Sequence, residues 1–102
     1  QAAAYPDIQP LYLSGEPQQA LARAQQAARA LGWHVVDVDA AAGRLEATDT
    51  TFWFGFVDDI VVRVVAEGER SRVDVRSVSR VGKGDVGKNA ARIRAFLQQL
   101  AG

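Results

Sequence analysis

Two aspartates and two arginines stand where neighbouring strands would bring them together. Asp58 and Asp59 open a predicted strand, and Arg76 and Arg80 end the strand that follows it. In a hairpin that turns near Gly68, the start of the first strand lies beside the end of the second. Arginine and carboxylate can then pair through two parallel hydrogen bonds. The cluster either fixes the register of the strands and the entry to the last helix, or its arginines bind a carboxylate or an anionic head group.

Catalytic and metal-binding combinations are scarce in this chain. There is no cysteine, and the single histidine, His34, lies in a predicted strand without an evident partner. These counts exclude thiolate chemistry and metal sites built from histidine or cysteine ligands. Asp58 and Asp59 would point to opposite faces of a strand, so the pair is a poor site for one cation. The sequence predicts no metal and no cofactor and favours a non-enzymatic protein, although either aspartate beside an arginine could act as a general base.

An aromatic turn, residues 51–56 with the sequence TFWFGF, precedes the aspartates. Phe52, Trp53 and Phe54 could contact a lipid or another apolar ligand. They could equally enter a membrane interface, where tryptophan is favoured, or dock a partner chain. Core packing is the remaining alternative. By strand alternation we expect Phe56 and one other ring to face inward, and Trp53 to be the most exposed.

The glycine motif, residues 82–89 with the sequence GKGDVGKN, imitates two nucleotide-binding signatures. It matches the spacing of a dinucleotide fingerprint, but the chain ends after the next helix and leaves no second parallel strand. It nearly matches a phosphate-binding loop, except that Asn89 stands where a hydroxyl would bind magnesium. We therefore predict no nucleotide enzyme. Lys88 could still hold an anion at the helix N-terminus; alternatively, the glycines reverse the chain and Asp85 caps the helix.

Length and composition indicate one small globular domain. The 102 residues are 48% hydrophobic with a formal net charge of zero, so bulk attraction to nucleic acid is not expected. Residues 1–59 hold eight acids and three arginines, whereas the rest holds nine bases and four acids. These halves can pair within a sheet, or the second half can carry a basic site. No apolar run reaches the roughly 20 residues that span a bilayer. Because Gln1 is not a translation start, we expect a longer protein whose membrane segment could precede it.

Hydrophobic periodicity predicts the elements that position these side chains. Residues 1–13 read as an extended lead-in with a short strand at its end, and residues 14–102 as the domain. Helices are predicted over residues 14–32, with Ser14 as N-cap, and over residues 84–100. The predicted strands between them are residues 33–39, 44–50, 58–66 and 71–81.

This order of elements predicts a two-layer α+β fold. Strands joined by short turns form an antiparallel meander, here of about four strands. The N-terminal and C-terminal helices each carry one apolar stripe, so both should pack on one face of the sheet. The opposite face would carry Glu46, Thr48, Asp59, Arg63, Asp74, Arg76 and Arg80.

Four stretches, residues 5–11, 31–33, 44–64 and 73–97, carry a resemblance to a known family. The most specific part combines GF-x-DD with RS-x-SR-x-G-x-x-D-x-G-x-N-x-x-RI. Its members are Gly55, Phe56, Asp58, Asp59, Arg76, Ser77, Ser79, Arg80, Gly82, Asp85, Gly87, Asn89, Arg92 and Ile93. Over nearly its whole length the chain resembles the domain of unknown function 1499. The resemblance implies no established activity. It implies a mainly bacterial domain with plant members, some of them anchored by transmembrane helices and facing the periplasm.

The expected function is therefore a non-enzymatic binding domain of the cell envelope. It would contact a lipid or an anionic amphipathic ligand through the aromatic turn and the arginine–aspartate cluster. The alternative is a structural or protein-interaction module, either in the envelope or in the cytoplasm, whose aromatic turn docks a partner or a second copy. The candidate ligand-binding residues are Phe52, Trp53, Phe54, Asp58, Asp59, Arg76, Arg80, Asp85, Lys88, Asn89 and Arg92.

Overall fold

A computed structural model describes residues 10–50, 57–79 and 86–101. The aromatic turn lies outside these ranges, as do residues 80–85. The described elements are β1 Leu11–Ser14, α1 Pro17–Ala30, β2 His34–Asp39, β3 Arg44–Thr50, β4 Val57–Glu67, β5 Arg70–Ser79 and α2 Val86–Ala101.

The strands form one antiparallel sheet in the order β1-β5-β4-β3-β2. The meander from β2 to β5 is the one predicted, and the α+β class is confirmed. The count of about four strands was too low, because β1 adds a fifth strand beside β5, with Leu11 opposite Val73. Strand β1 is the short strand predicted at the end of the lead-in, which the count for the meander did not include. Pairing with β5 and a bond from Ser71 Oγ to the Gly15 carbonyl, 2.9 Å, hold it in place.

The two helices share one face of the sheet and enclose a single core with it. Helix α1 buries small side chains, so it lies close against the strands. Helix α2 turns Phe96 fully inward, whereas Ile93 and Leu97 on the same helix are only half-buried. The sheet contributes Leu45, Ala47, Ile60, Val62, Val64 and Val73 to this core.

Helix α1 begins two residues later than Ser14 would have required. Glu16 is the N-cap, and its backbone N–H donates to the Gln19 side chain over 3.3 Å. Ser14 instead closes β1, opposite Arg70. The helix ends at Ala30, two residues before the end of the predicted range, and Gly32 follows in the left-handed region at φ 82°.

The outer face of the sheet is open to solvent and rich in charge. Arg72 lies 3.5 Å from Glu67 and 3.1 Å from Asp74, and Arg44 lies 3.2 Å from Glu46. The ion pairs are all partly exposed, so each is worth at most about 1 kcal/mol. The strand pairing confirms the outward orientation of the described residues predicted for this face, which are Glu46, Thr48, Asp59, Arg63, Asp74 and Arg76.

Two glycines with nearly the same backbone conformation differ in what surrounds them. Gly43 has φ 67° and Gly68 has φ 68°. A Cβ on Gly43 would overlap the carbonyl oxygen of Val64, whereas one on Gly68 would meet nothing within 4 Å. The close approach arises because Gly43 O accepts a 2.7 Å bond from Val64 N. Gly43 is therefore required for space as well as for conformation.

We expect Gly43→Ala to cost more stability than Gly68→Ala. Both substitutions place an L-residue in the left-handed region, at about 1–2 kcal/mol. Gly43→Ala adds the displacement of backbone at Val64, which should raise its cost by at least about 1 kcal/mol. Urea unfolding of the two variants measures the difference. Equal losses of unfolding free energy in the two variants would show that the β4 backbone at Val64 can shift at no cost.

Candidate functional site

Arg92 is the centre of a polar cluster beneath α2. Its Nε donates to Asp49 Oδ2 over 3.0 Å, and its Nη1 donates to Ser77 Oγ over 3.0 Å. Its Nη2 lies 2.7 Å from Asp58 Oδ2 in an ion pair. We call these four residues the Arg92 cluster. One guanidinium thus ties the last helix to three strands, β3, β4 and β5.

Strand register explains why the two carboxylates of the cluster meet. Asp49 and Asp58 are directly opposite each other in the β3–β4 pairing, and Ser77 faces Ile60 in the next pair. Alternation places all three on the face that carries the helices. Two like charges directly opposite each other are unfavourable. The guanidinium of Arg92 bonds or pairs with both carboxylates and offsets their repulsion.

The cluster is dry at one end and wet at the other. The side chains of Arg92 and Asp58 are 8% and 3% exposed, whereas that of Asp49 is 33% exposed. Asp58 is therefore a buried charge that depends on its partners. Asp49 forms the part of the cluster that solvent and ligands can reach.

A cleft of about 330 Å³ opens beside the Arg92 cluster. Its lining residues are Leu31, Trp33, Asp49, Ala91, Arg92 and Ala95. Most of the described wall is apolar, and Asp49 and Arg92 are the charged residues among its described members. Trp33 is itself held by the core, because its ring stacks on Phe96 with centroids 5.1 Å apart. The cleft thus has a fixed aromatic wall and one polar corner.

The structure divides the predicted arginine–aspartate cluster between the two faces of the sheet. Arg76 is exposed on the outer face, opposite Val61, and Asp59 lies on that same face, opposite Val78. Asp58 points the other way, into the Arg92 cluster. The expected proximity of Asp58 to Arg76 is wrong, because the alternation that separates Asp58 from Asp59 also puts Asp58 and Arg76 on opposite faces of the sheet.

The other candidate residues are not placed by the described structure. Phe52, Trp53, Phe54, Arg80 and Asp85 lie outside the described residues. Lys88 and Asn89 fall in the first turn of α2, and their side chains are likewise not described. His34 is exposed, as expected for a surface residue.

The candidates predicted from the sequence included Asp58 and Arg92 but not Asp49, Ser77 or the other lining residues of the cleft. A signal for Asp49 and Ser77 was present, since Asp49 continues the inward phase of Leu45 and Ala47, and Ser77 continues that of Val73 and Val75. A polar residue in an inward phase requires a buried partner. The cleft itself carried no such signal, because alanines within a helix and a tryptophan after one, as here, are also ordinary core residues.

The described residues offer neither a metal-binding group nor a membrane-spanning helix. Among residues 10–50, 57–79 and 86–101, no group of three or more acidic or histidine side chains could hold a metal ion. Neither α1 nor α2 is long and apolar enough to cross a membrane.

A family described as "Protein of unknown function (DUF1499)" has a model that matches residues 1–100. The chain belongs to this family. The resemblance read from the sequence is thereby confirmed over essentially the whole chain. No curated protein matches it. In this DUF1499 domain the two halves of the recognised motif meet at one place, because Asp58 comes from the first half and Ser77 and Arg92 come from the second.

Proposed function

We propose that this DUF1499 domain is a non-enzymatic binding domain whose cleft takes the apolar part of an amphipathic ligand such as a lipid. The observation that carries the proposal is the cleft bounded by Leu31, Trp33, Ala91 and Ala95, with one charged corner. Small-molecule sites combine apolar walls with few polar groups in this way.

The small side chains of α2 support this use of the cleft. Ala91 and Ala95 are one turn apart on the same face of the helix, so they leave space rather than fill it. The opposite wall is rigid, since Trp33 is stacked on Phe96. A preformed apolar space reduces the ordering that a ligand must impose on the protein when it binds.

The chemistry of the corner supports binding rather than catalysis. The charged residues that line the cleft, Asp49 and Arg92, are bonded to each other. The other lining residues of the cleft, Leu31, Trp33, Ala91 and Ala95, carry no side chain suited to general acid–base catalysis. The single histidine, His34, is exposed on β2, where it pairs with Thr48 of β3.

The composition of the aromatic turn supports a lipid as the ligand. Strand β3 ends at Thr50, one residue after Asp49, and β4 begins at Val57. The chain between them carries Phe52, Trp53 and Phe54, which suit an apolar ligand or a membrane interface. We place the domain at the cell envelope on the strength of this composition and of the membrane-anchored proteins that the resemblance implies.

We expect 1-octanol to bind in the cleft and Ala95→Phe to weaken that binding at least about tenfold, equivalent to about 1.4 kcal/mol. The new ring must occupy the space that the ligand needs. Titration of the ¹⁵N-labelled domain, followed by NMR, should shift the Trp33 indole N–H and the amides of residues 91–95. The outer-face amides of Val65 and Val78 should stay in place.

Ala101→Phe is the matched control for this experiment. It makes the same change on the same helix at an exposed position that does not line the cleft. It should leave the octanol affinity unchanged. The proposal fails if octanol shifts no cleft resonance, or if both variants bind octanol as well as the unchanged domain does.

A further inference from the structure

We propose that the polar end of the ligand is a cation, specifically an ammonium group that donates hydrogen bonds to Asp49. This inference rests on the proposed function, since it names the class of molecule that the cleft takes. It differs from the expectation of an anionic ligand that the sequence raised. The reason lies in which charged group of the Arg92 cluster a ligand can reach.

The carboxylate of Asp49 is far more accessible than the guanidinium of Arg92. Their side chains are 33% and 8% exposed, although both line the cleft. The guanidinium is turned toward Asp58 and Ser77 at the dry end of the cluster. A ligand that enters the cleft therefore meets a hydrogen-bond acceptor with a negative charge.

The bond to Arg92 leaves Asp49 able to accept more donors. It reaches Arg92 Nε through Oδ2, whereas an ionised carboxylate offers about four acceptor sites on two oxygens. A protonated primary amine supplies up to three N–H donors and the opposite charge. Charge-assisted bonds of this kind are about twice as strong as neutral ones.

The aromatic wall favours the same class of ligand. Trp33 lines the cleft together with Asp49. Tryptophan is the side chain whose ring attracts cations most strongly, and aromatic rings commonly take part in the recognition of ammonium ligands. An anionic end would have to displace Asp49 from Arg92 and would be repelled by the released carboxylate. It would also oppose the pairing that stabilises the buried Asp58.

The test compares octylammonium, 1-octanol and octanoate, which share one alkyl chain and differ in the polar end. Each is titrated at neutral pH into the ¹⁵N-labelled domain, and the cleft resonances report affinity. We expect octylammonium to bind at least about tenfold more tightly than octanoate, because the ammonium forms a charge-assisted bond with Asp49 whereas the carboxylate of octanoate is repelled by it. Octanol should fall between them.

Asp49→Asn should reduce octylammonium affinity by about tenfold, since the amide keeps an acceptor oxygen for Arg92 but loses the charge. Asp74→Asn is the matched control. Asp74 is 38% exposed and accepts a 3.1 Å bond from Arg72 Nε, as Asp49 does from Arg92, but it lies on the outer face. It should leave the affinities for all three compounds unchanged.

The outcomes separate this inference from the proposed function. Octanol binding with equal affinity for the two charged compounds, or tighter binding of octanoate, would overturn the cationic ligand and leave the binding cleft standing. No cleft shift with any of the three compounds would overturn both. The comparison in the unchanged domain is decisive even if Asp49→Asn does not fold.

Discussion

Arg92→Met should lower the free energy of unfolding by about 3–5 kcal/mol, which is the cost of removing one partner from a buried ion pair. The Asp58 carboxylate, 3% exposed, would lose the guanidinium that lies 2.7 Å away. Ser77 and Asp49 would lose a hydrogen-bond donor at the same time. Methionine preserves much of the aliphatic stem, so the loss reports on the charge and its bonds rather than on packing.

Arg72→Met is the control that isolates burial. Arg72 also lies against two carboxylates, those of Glu67 and Asp74, but its side chain is 39% exposed. The same substitution there should cost no more than about 1 kcal/mol. Urea unfolding with linear extrapolation measures both variants. Equal losses of unfolding free energy in the two variants would mean that Asp58 does not depend on Arg92. The Arg92 cluster would then contribute no more to stability than an exposed ion pair does.

The double variant Arg92→Met with Asp58→Asn removes the buried charge together with its partner. It should be more stable than Arg92→Met alone, because no uncompensated carboxylate is left in the interior. This comparison also covers the case in which Arg92→Met does not fold at all. A double variant that is less stable than Arg92→Met would contradict the account of Asp58 as a charge held by Arg92.

The sheet was largely predictable because its strands obey a period of two. Ile60, Val62 and Val64 alternate with outward residues along β4, and the buried pattern follows them residue by residue. The hairpin at Gly68 and the turn at residues 40–43 then fix antiparallel neighbours. Helix α1 was also predictable from its apolar stripe, which consists mostly of alanine and forms the buried face. Its N-cap was predicted two residues too early.

The site was less predictable because it depends on contacts between elements that are distant in the chain. Arg92 lies 43 residues from Asp49 along the sequence. The periodicity of α2 does not predict which strands Arg92 will contact. Asp58 and Asp59 were predicted to point to opposite faces of their strand, but they were still grouped in one cluster with Arg76 and Arg80. Treating each inward polar residue as a group in need of a partner would have connected Asp49, Asp58 and Ser77.

The Arg92 cluster and the cleft are coupled by their shared elements. Helix α2 supplies Arg92 to the cluster and Ala91 and Ala95 to the cleft, while Phe96 on the same helix supports Trp33. A ligand in the cleft would therefore touch the part of α2 that is tied to the sheet by an ion pair on one side and an aromatic stack on the other. This double attachment fixes the position of α2 relative to the sheet beside the cleft.

Phe96→Ala tests the aromatic attachment and should also cost about 3–5 kcal/mol of unfolding free energy. Phe96 is fully buried, and its ring stacks on Trp33 with an angle of 14° between the planes. The truncation removes the ring and leaves a cavity under the aromatic wall of the cleft. Urea unfolding measures the loss, and the near-ultraviolet circular dichroism of Trp33 should weaken as its stacking partner disappears.

Phe96→Leu and Val78→Ala separate the possible causes of that loss. Leucine keeps most of the apolar contact but not the ring, so it should cost clearly less than alanine, at about 1–1.5 kcal/mol. Val78 is exposed on the outer face, and its truncation should stay within about 0.5 kcal/mol. If Phe96→Ala cost no more than Val78→Ala, the wall of the cleft would not depend on the core. If it costs the expected amount while octanol affinity also falls, the stack that stabilises the fold is also the stack that shapes the cleft.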